Sequence, residues 1–519
     1  LVLLGGGWRF LRQRARNSST QSRVMNDKSL RGAYLLVGGK GLSAVIGLAS
    51  MVILARLLEP EDYGLVVLVE AVVTLLAAIT ELQMASVLIH LPKVDDAHFS
   101  TAWTLNLIRA FVLCALVIMI APSLAEFYED QRLLGIAYVS SVSLFLGALL
   151  NPKMAILIRD LDFKKDFLLG LSQKIAGFVV TVGVAYYLRN YWALVLGTLA
   201  TQICGLVYSY FAYPFKPSFT LSKVGDLWGY SIWLSFSNFV KTLNSKLDQF
   251  VVGKMFSAST TGVYSLATRL STVLFTDTLG AALRVVSPSL RAHTENQPAM
   301  NKAYQNTQSL VTLVFLPVAS LTSALALPLI SLALGPKWAE VTDVFRLLVL
   351  ALCLEAIGSV GLSVVLATLN TRLAFLRDLA SIAGRAALMA YGLYEGGFTG
   401  LLWGRAASSV LDLLLYFAIA GKVTGLSILD QLLLNWRTAL ACALVYPLVY
   451  ALQTPPWWNI ADSAAAQAVW LLIMLSTGIA LHAFMQGLLW VISGRPHSIE
   501  VVFLAYLKSK FTQKEVSLS

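Results

Sequence analysis

The 519 residues are 57% hydrophobic and 13% charged, where soluble domains carry about 25% charged residues, so the composition excludes an ordinary soluble enzyme or binding module. The net charge of +11 is spread over lysines and arginines lying between apolar runs, which suits membrane topology and argues against nucleic acid as a partner. Cys114, Cys204, Cys353, Cys442 and the five histidines are scattered, without the spacing of a metal centre, a disulfide framework or a catalytic dyad, so no metal, cofactor or catalytic residue is expected.

Residues 1–33 form a basic N-terminal segment; Met25 opens a more natural start than Leu1, and the residues before it are expected to be a dispensable extension. Apolar runs of spanning length then follow one another, at 34–57, 63–89, 99–121, 133–158, 167–188, 191–213, 227–256, 263–290, 306–334, 344–369, 375–394, 398–420, 432–452 and 464–492. The expected fold class is an all-α polytopic membrane protein of about 14 transmembrane helices, because the runs are too long for a β-barrel and lack its two-residue alternation. Lysines and arginines crowd one side, from the N-terminal segment through Arg159, Lys164, Lys165, Lys216, Lys223, Arg291, Lys302, Arg372 and Lys422 to the tail. The other side has little beyond Arg132, Arg189 and Lys337, and its first turn is acidic, Glu59-Pro60-Glu61-Asp62. Both termini are therefore expected in the cytoplasm. No loop is long enough to fold by itself.

The seventh run is the least ordinary. It carries Asn238, Lys241, Asn244, Ser245, Lys246 and Asp248 in its middle, and Asn238, Lys241, Ser245 and Asp248 share one helix face. A charge at mid-bilayer costs at least about 2.5 kcal/mol unless it faces protein or water, so such a face suggests a hydrated cavity. Lys40 in the first run, Glu70 and Glu81 in the second, and Arg269 and Asp277 in the eighth repeat the pattern. Arg109, Lys174, Arg284 and Arg346 are close enough to run ends that snorkelling to the interface is an equal alternative. Asp378 with Arg385, and Arg405 with Asp412, read better as structural pairs between helices, while Arg346 and Glu355 fall on nearly opposite sides of the tenth run. Lys40, Lys241, Lys246, Arg269 and Arg109 are the candidates for holding an anionic substrate such as a phosphate or diphosphate. Glu70, Glu81, Asp248 and Asp277 are the candidates for neutralising those cations or for coupling to a proton or Na⁺.

An internal echo divides the chain. Residues 52–69, VILARLLEPEDYGLVVLV, align without gaps on 250–267, FVVGKMFSASTTGVYSLA, matching Arg56 with Lys254 and Gly64 with Gly262. This sets runs one to six against seven to twelve as parallel repeats. The expected organisation is an N-terminal lobe at 34–213, a cytoplasmic linker at 214–226, a C-terminal lobe at 227–420, two further helices within 432–492 and a cytoplasmic tail at 493–519.

Ala55-Arg56-Leu57-Leu58 with the acidic turn and Asp62-Tyr63-Gly64 resembles the first signature of the bacterial polysaccharide transporters, the Wzx-type oligosaccharide flippases. So do residues 157–163 (LIRDLDF), Leu247-Asp248-Gln249-Phe250 with Gly262-Val263-Tyr264, and Leu334-Gly335-Pro336-Lys337-Trp338. The likeness runs from about Lys28 to Gly425, and the LIRDLDF variant is most similar to transporters of the colanic-acid and xanthan type. The resemblance implies two six-helix lobes around a central cavity, two extra C-terminal helices and alternating access. It also implies passage of undecaprenyl-diphosphate-linked oligosaccharides across the inner membrane. The implied partners are that lipid-linked substrate, membrane lipid and other polysaccharide assembly proteins such as a polymerase or chain-length regulator. Two rival readings stand beside it. One is a multidrug or small-molecule antiporter of the same superfamily, which would favour about 12 helices and an acid-dominated site. The other is a polysaccharide polymerase or ligase, which would need a sizeable outer loop or a cluster of acid, base and nucleophile.

Overall fold

In a bilayer each backbone N–H and C=O must be satisfied within the chain, and a run of apolar residues meets that demand as a helix. The computed structural model, which describes residues 42–81, 84, 88, 94–159, 163–279, 296–368, 370–453 and 464–494, contains helices and no strands among those residues. The chain forms two compact units, divided between Ser265 and Leu266.

The first unit contains α1 (Leu42–Leu57), α2 (Pro60–Thr80), α3 (Asp96–Phe127), α4 (Arg132–Ala148), the short α5 (Met154–Arg159), α6 (Phe163–Leu188), α7 (Trp192–Ala212) and α8 (Val224–Met255). It ends inside α9 (Ala258–Thr272), which continues as a π-helical turn, Val273–Asp277. The second unit holds α10 (Gln297–Ala324), α11 (Ala326–Ala333), α12 (Val341–Ala367), α13 (Thr371–Thr424), α14 (Ile428–Leu433), α15 (Trp436–Gln453) and α16 (Ala464–Ile492). Among the described residues, eight helices are individually long and apolar enough to cross a membrane, and three shorter apolar helices accompany them. The charged α8 and α9 are not among them, although they form where the seventh and eighth runs are expected.

Helix starts are written locally. Pro60 takes the first position of α2, and the Glu59 amide donates to Asp62 Oδ2 at 3.0 Å. Asp95 caps α3, its Oδ1 accepting from the His98 amide at 3.1 Å. The acidic turn before α2 also ties the unit together. Arg132 pairs with Glu61 and, at 2.6 Å, with Asp130, and this guanidinium holds the Asp130 carboxyl below the usual carboxylate range. Asp62 Oδ1 accepts from the Tyr191 amide at 2.9 Å.

Below that turn, Leu65, Leu68 and Val69 of α2 pack with Val117 and Ala121 of α3 and with Leu133 and Ile136 of α4. At the opposite end Phe99, Trp103, Ala155 and Phe215 form a second cluster. The outward faces of α3 and α7, with Phe111, Met119, Val207 and Phe211, are exposed and apolar, as lipid contact requires.

Two boundaries depart from the expected runs. The fourth run, 133–158, breaks at Asn151-Pro152, where Pro152 offers no amide to the helix and Asn151 is held by the segment around Ser209 and Tyr213 instead. Asn151 is 1% exposed; its Nδ2 donates to Ser209 O at 3.2 Å and Tyr213 O at 2.6 Å, and its Oδ1 accepts from the Lys153 amide at 2.9 Å. Asn151→Ala is expected to cost about 1–3 kcal/mol through those abandoned carbonyls, read as a lowered melting temperature of the purified protein. The ninth run, 306–334, divides into α10 and α11 at Leu325. The expected gap between runs eleven and twelve is a tight reversal inside α13: Gly396 and Gly397 leave helical geometry, Gly397 with φ 56°, a backbone region that favours glycine.

In the second unit α12 packs on both arms of α13 and on α10, while α15 lies against α10 and α16. Leu321, Ala324, Val445, Val449 and Leu471 form its apolar seam.

Candidate functional site

The intramembrane charges of the first unit meet where α2 packs along α8 and α8 touches α3. Glu70 on α2 interacts electrostatically with Lys246 on α8, and Lys246 donates to Gln249 Oε1 at 3.1 Å. About 16 Å further along the helix axis, Glu81 closes α2 and accepts Asn238 Nδ2 at 2.7 Å. Glu81 also interacts electrostatically with Arg109 of α3, whose half-buried guanidinium keeps its Nε without a hydrogen-bond partner. A carboxylate and a cation thus interact electrostatically at two levels of one helix, without a direct ion pair between them.

The face expected to unite Asn238, Lys241, Ser245 and Asp248 serves three different surroundings. Asn238 faces Glu81. Lys241 and Ser245 are exposed. Asp248 is 5% exposed and accepts Tyr264 Oη of α9 at 2.8 Å. Arg269 is exposed on α9. Lys40 lies outside the described residues, as does the side chain of Asp277, whose backbone ends the π-helical turn.

The second unit contains a chain of ion pairs joining α12 to both arms of α13. Asp378 pairs with Arg377 at 3.0 Å; Arg377 pairs with Asp412 Oδ1 at 2.9 Å; Asp412 Oδ2 pairs with Arg385 at 3.0 Å. Glu355 continues it, accepting from Arg385 at 3.0 Å and from Arg405 at 2.8 Å. Arg377 also stacks on the Tyr416 ring, 3.6 Å from its centroid. Three arginines and three carboxylates alternate, so formal charge cancels and the cluster reads as a structural lock. The residues of both expected pairs are present, but Arg405 meets Glu355 and Asp412 bridges two arginines. Arg377 was not picked out by the sequence, although it lies four and eight residues before Ser381 and Arg385, on the same face. Arg346 is separate, pairing with Asp343 at 2.8 Å beside the Tyr450 ring.

Long apolar helices with paired charges in their interiors define a multi-pass, all-helical membrane protein. The fold matches that of the lipid II flippase MurJ in an inward closed conformation, with a TM-score of 0.71 and 15% identity over 89% of this chain and 100% of that one. An inward-facing multidrug-resistance MATE family transporter of the MOP superfamily has a TM-score of 0.59 and 14% identity, over 76% of this chain and 99% of that one. The chain belongs to the family described as polysaccharide biosynthesis protein, which matches residues 53–343. Among its relatives, the lipopolysaccharide biosynthesis protein WzxC of Escherichia coli strain K12 is 20% identical over 417 residues, 79% of this chain and 85% of the relative.

Proposed function

We infer that the protein carries oligosaccharide repeat units linked to undecaprenyl diphosphate across the bacterial inner membrane, with both termini in the cytoplasm, for assembly of a surface polysaccharide. The observation that carries this reading is the pair of acid–base sets along α2, Glu70 with Lys246 and Glu81 with Arg109 and Asn238, in a chain of the polysaccharide biosynthesis family. In the empty protein the carboxylates hold the cations in charge balance. A diphosphate offers more acceptor oxygens than either carboxylate and draws Lys246 and Arg109 away, with Lys241 adding an exposed cation. The freed Glu70 and Glu81 then take up a proton or Na⁺, and alternating access follows from the different affinities of the two arrangements for the bound head group. The likeness to MurJ, a lipid II flippase, favours a lipid-linked head group as the substrate class.

The likeness to the MATE fold favours a second reading, a multidrug or small-molecule cation antiporter. The balance of cations with carboxylates on α2, α3 and α8 suits an anion better than an acid-dominated site would. A strain deprived of the protein is expected to accumulate lipid-linked oligosaccharide on the cytoplasmic leaflet and to lose its surface polymer. Normal polymer together with new drug sensitivity would transfer the assignment to the antiporter.

Lys241→Ala changes an exposed residue and is expected to leave abundance in the membrane unchanged. A hydrogen bond to a charged group is worth about 1.5–3 kcal/mol, so the variant should lower polymer export about tenfold or more. Wild-type export would remove Lys241 from the site.

A further inference from the structure

A cavity of about 610 Å³ lies in the first unit, with none of the charged residues of α2 in its lining; Asp96, Ser100, Lys153, Phe215, Lys216 and Thr220 are among the residues that form it. Its depth in the membrane follows from helix length. The 32 residues of α3 extend about 48 Å, against a hydrocarbon thickness of about 30 Å, so the first turns of α3 project into the head-group layer. The segment after α7 lies at the same level, because Thr104 Oγ1 donates to Ser218 O and the Lys223 amide donates to Thr101 Oγ1. Lys165 Nζ, donating to Ala212 O beside the Tyr213 ring, is a further interfacial anchor there.

The chemistry of the lining is specific. Lys153 pairs with Asp96 at 2.6 Å and its ammonium sits 5.8 and 5.4 Å from the Phe99 and Phe215 ring centroids. Its side chain is only 15% exposed, whereas that of Asp96 is 82% exposed and its charge is largely hydrated. Lys216 is exposed at the rim, and hydroxyls of Ser100, Ser218 and Thr220 complete the wall. Asp96 offsets one lysine, leaving a cationic excess among hydroxyl donors, next to the exposed Phe219, which packs edge-on against Trp103. Phosphate oxygens suit the ammonium and hydroxyl donors, acyl chains suit the aromatic margin, and the volume is in the range of a small-molecule site.

We propose that this cavity binds the phosphate of a net-anionic membrane lipid at the lysine-rich face of the membrane, as a site separate from the charges that line α2. The test is native mass spectrometry of the purified full chain with dioleoyl phosphatidylglycerol, dioleoyl phosphatidylethanolamine or undecaprenyl phosphate added in turn. Wild type is expected to retain an anionic lipid at least fivefold better than the ethanolamine lipid, and Lys216→Glu to lose that preference. Preferential retention of phosphatidylglycerol identifies a bulk phospholipid as the source, and of undecaprenyl phosphate the carrier lipid; either supports the site. Lys302→Glu, the same charge change at another exposed position, is expected to behave as wild type. Equal retention of all three lipids, or equal loss in the Lys216 and Lys302 variants, would overturn the proposal. Unchanged melting of Lys216→Glu confirms that the readout reports binding.

Discussion

Asp412→Ala is expected to deplete the folded protein, with a lowered melting temperature and less protein in the membrane. Asp412 is 2% exposed and uses both oxygens, one on Arg377 and one on Arg385. Truncation would leave two buried guanidiniums, about two turns apart on α13, short of a counter-charge. Breaking a buried pair by removing one partner costs about 3–5 kcal/mol, a large share of the roughly 5–15 kcal/mol that holds a typical domain folded. Glu355→Gln should cost less, because its side chain is 22% exposed and keeps an oxygen for Arg405 and Ser409. Because α12 carries Glu355 while the two arms of α13 carry the other five groups, the damage should appear as loss of cooperative unfolding in the second unit. If Asp412→Ala melts like wild type, the alternating chain of charges does not hold these helices together.

Gly64→Ala is expected to be nearly as harmful, for a reason of space. A Cβ on Gly64 would lie 1.8 Å from Ala258 O, and one on Gly262 would lie 1.8 Å from Pro60 O. These are backbone atoms, so no side chain can swing aside, and the starts of α2 and α9 would have to separate. The offset that aligns Gly64 with Gly262 in the internal echo also aligns Pro60 with Ala258. The contact is therefore reciprocal: each repeat places its glycine against the same position of the other. Overpacking costs about 1–3 kcal/mol at sites that can yield, and a backbone contact yields less. Both single variants should lower the melting temperature by similar amounts. The Gly64→Ala, Gly262→Ala double variant should fall well short of their sum, because one separation relieves both clashes. Additive losses, or a neutral Gly64→Ala, would show that the two helix starts do not meet in the working protein.

The positions of the helices were legible because the bilayer imposes a local rule. An apolar run must become a helix, and the gap at Gly396-Gly397 was expected for reasons contained in those residues; the breaks at Asn151-Pro152 and Leu325 were not, because the apolar runs continue through them. The echo around Gly64 and Gly262 was legible for the same cause, since a close backbone approach admits glycine alone. The partners of the intramembrane charges were less so. Periodicity places Asn238, Lys241, Ser245 and Asp248 on one face of α8, yet a helix has neighbours on several sides, and these residues divide among Glu81, exposure and Tyr264.

The sequence by itself determined that this chain is a multi-pass helical membrane protein, where most of its described helices lie and which residues carry charge into them, because each of these depends on residues within a few turns of one another. Only the tertiary structure decided that Glu70 interacts electrostatically with Lys246 and Glu81 with Arg109, that Glu81 accepts from Asn238, that Arg377 belongs to the chain of ion pairs and that Lys153 and Lys216 border one cavity. Those partners lie on different elements or on the two arms of α13, tens of residues apart, and their meeting is set by how the helices pack rather than by any local pattern.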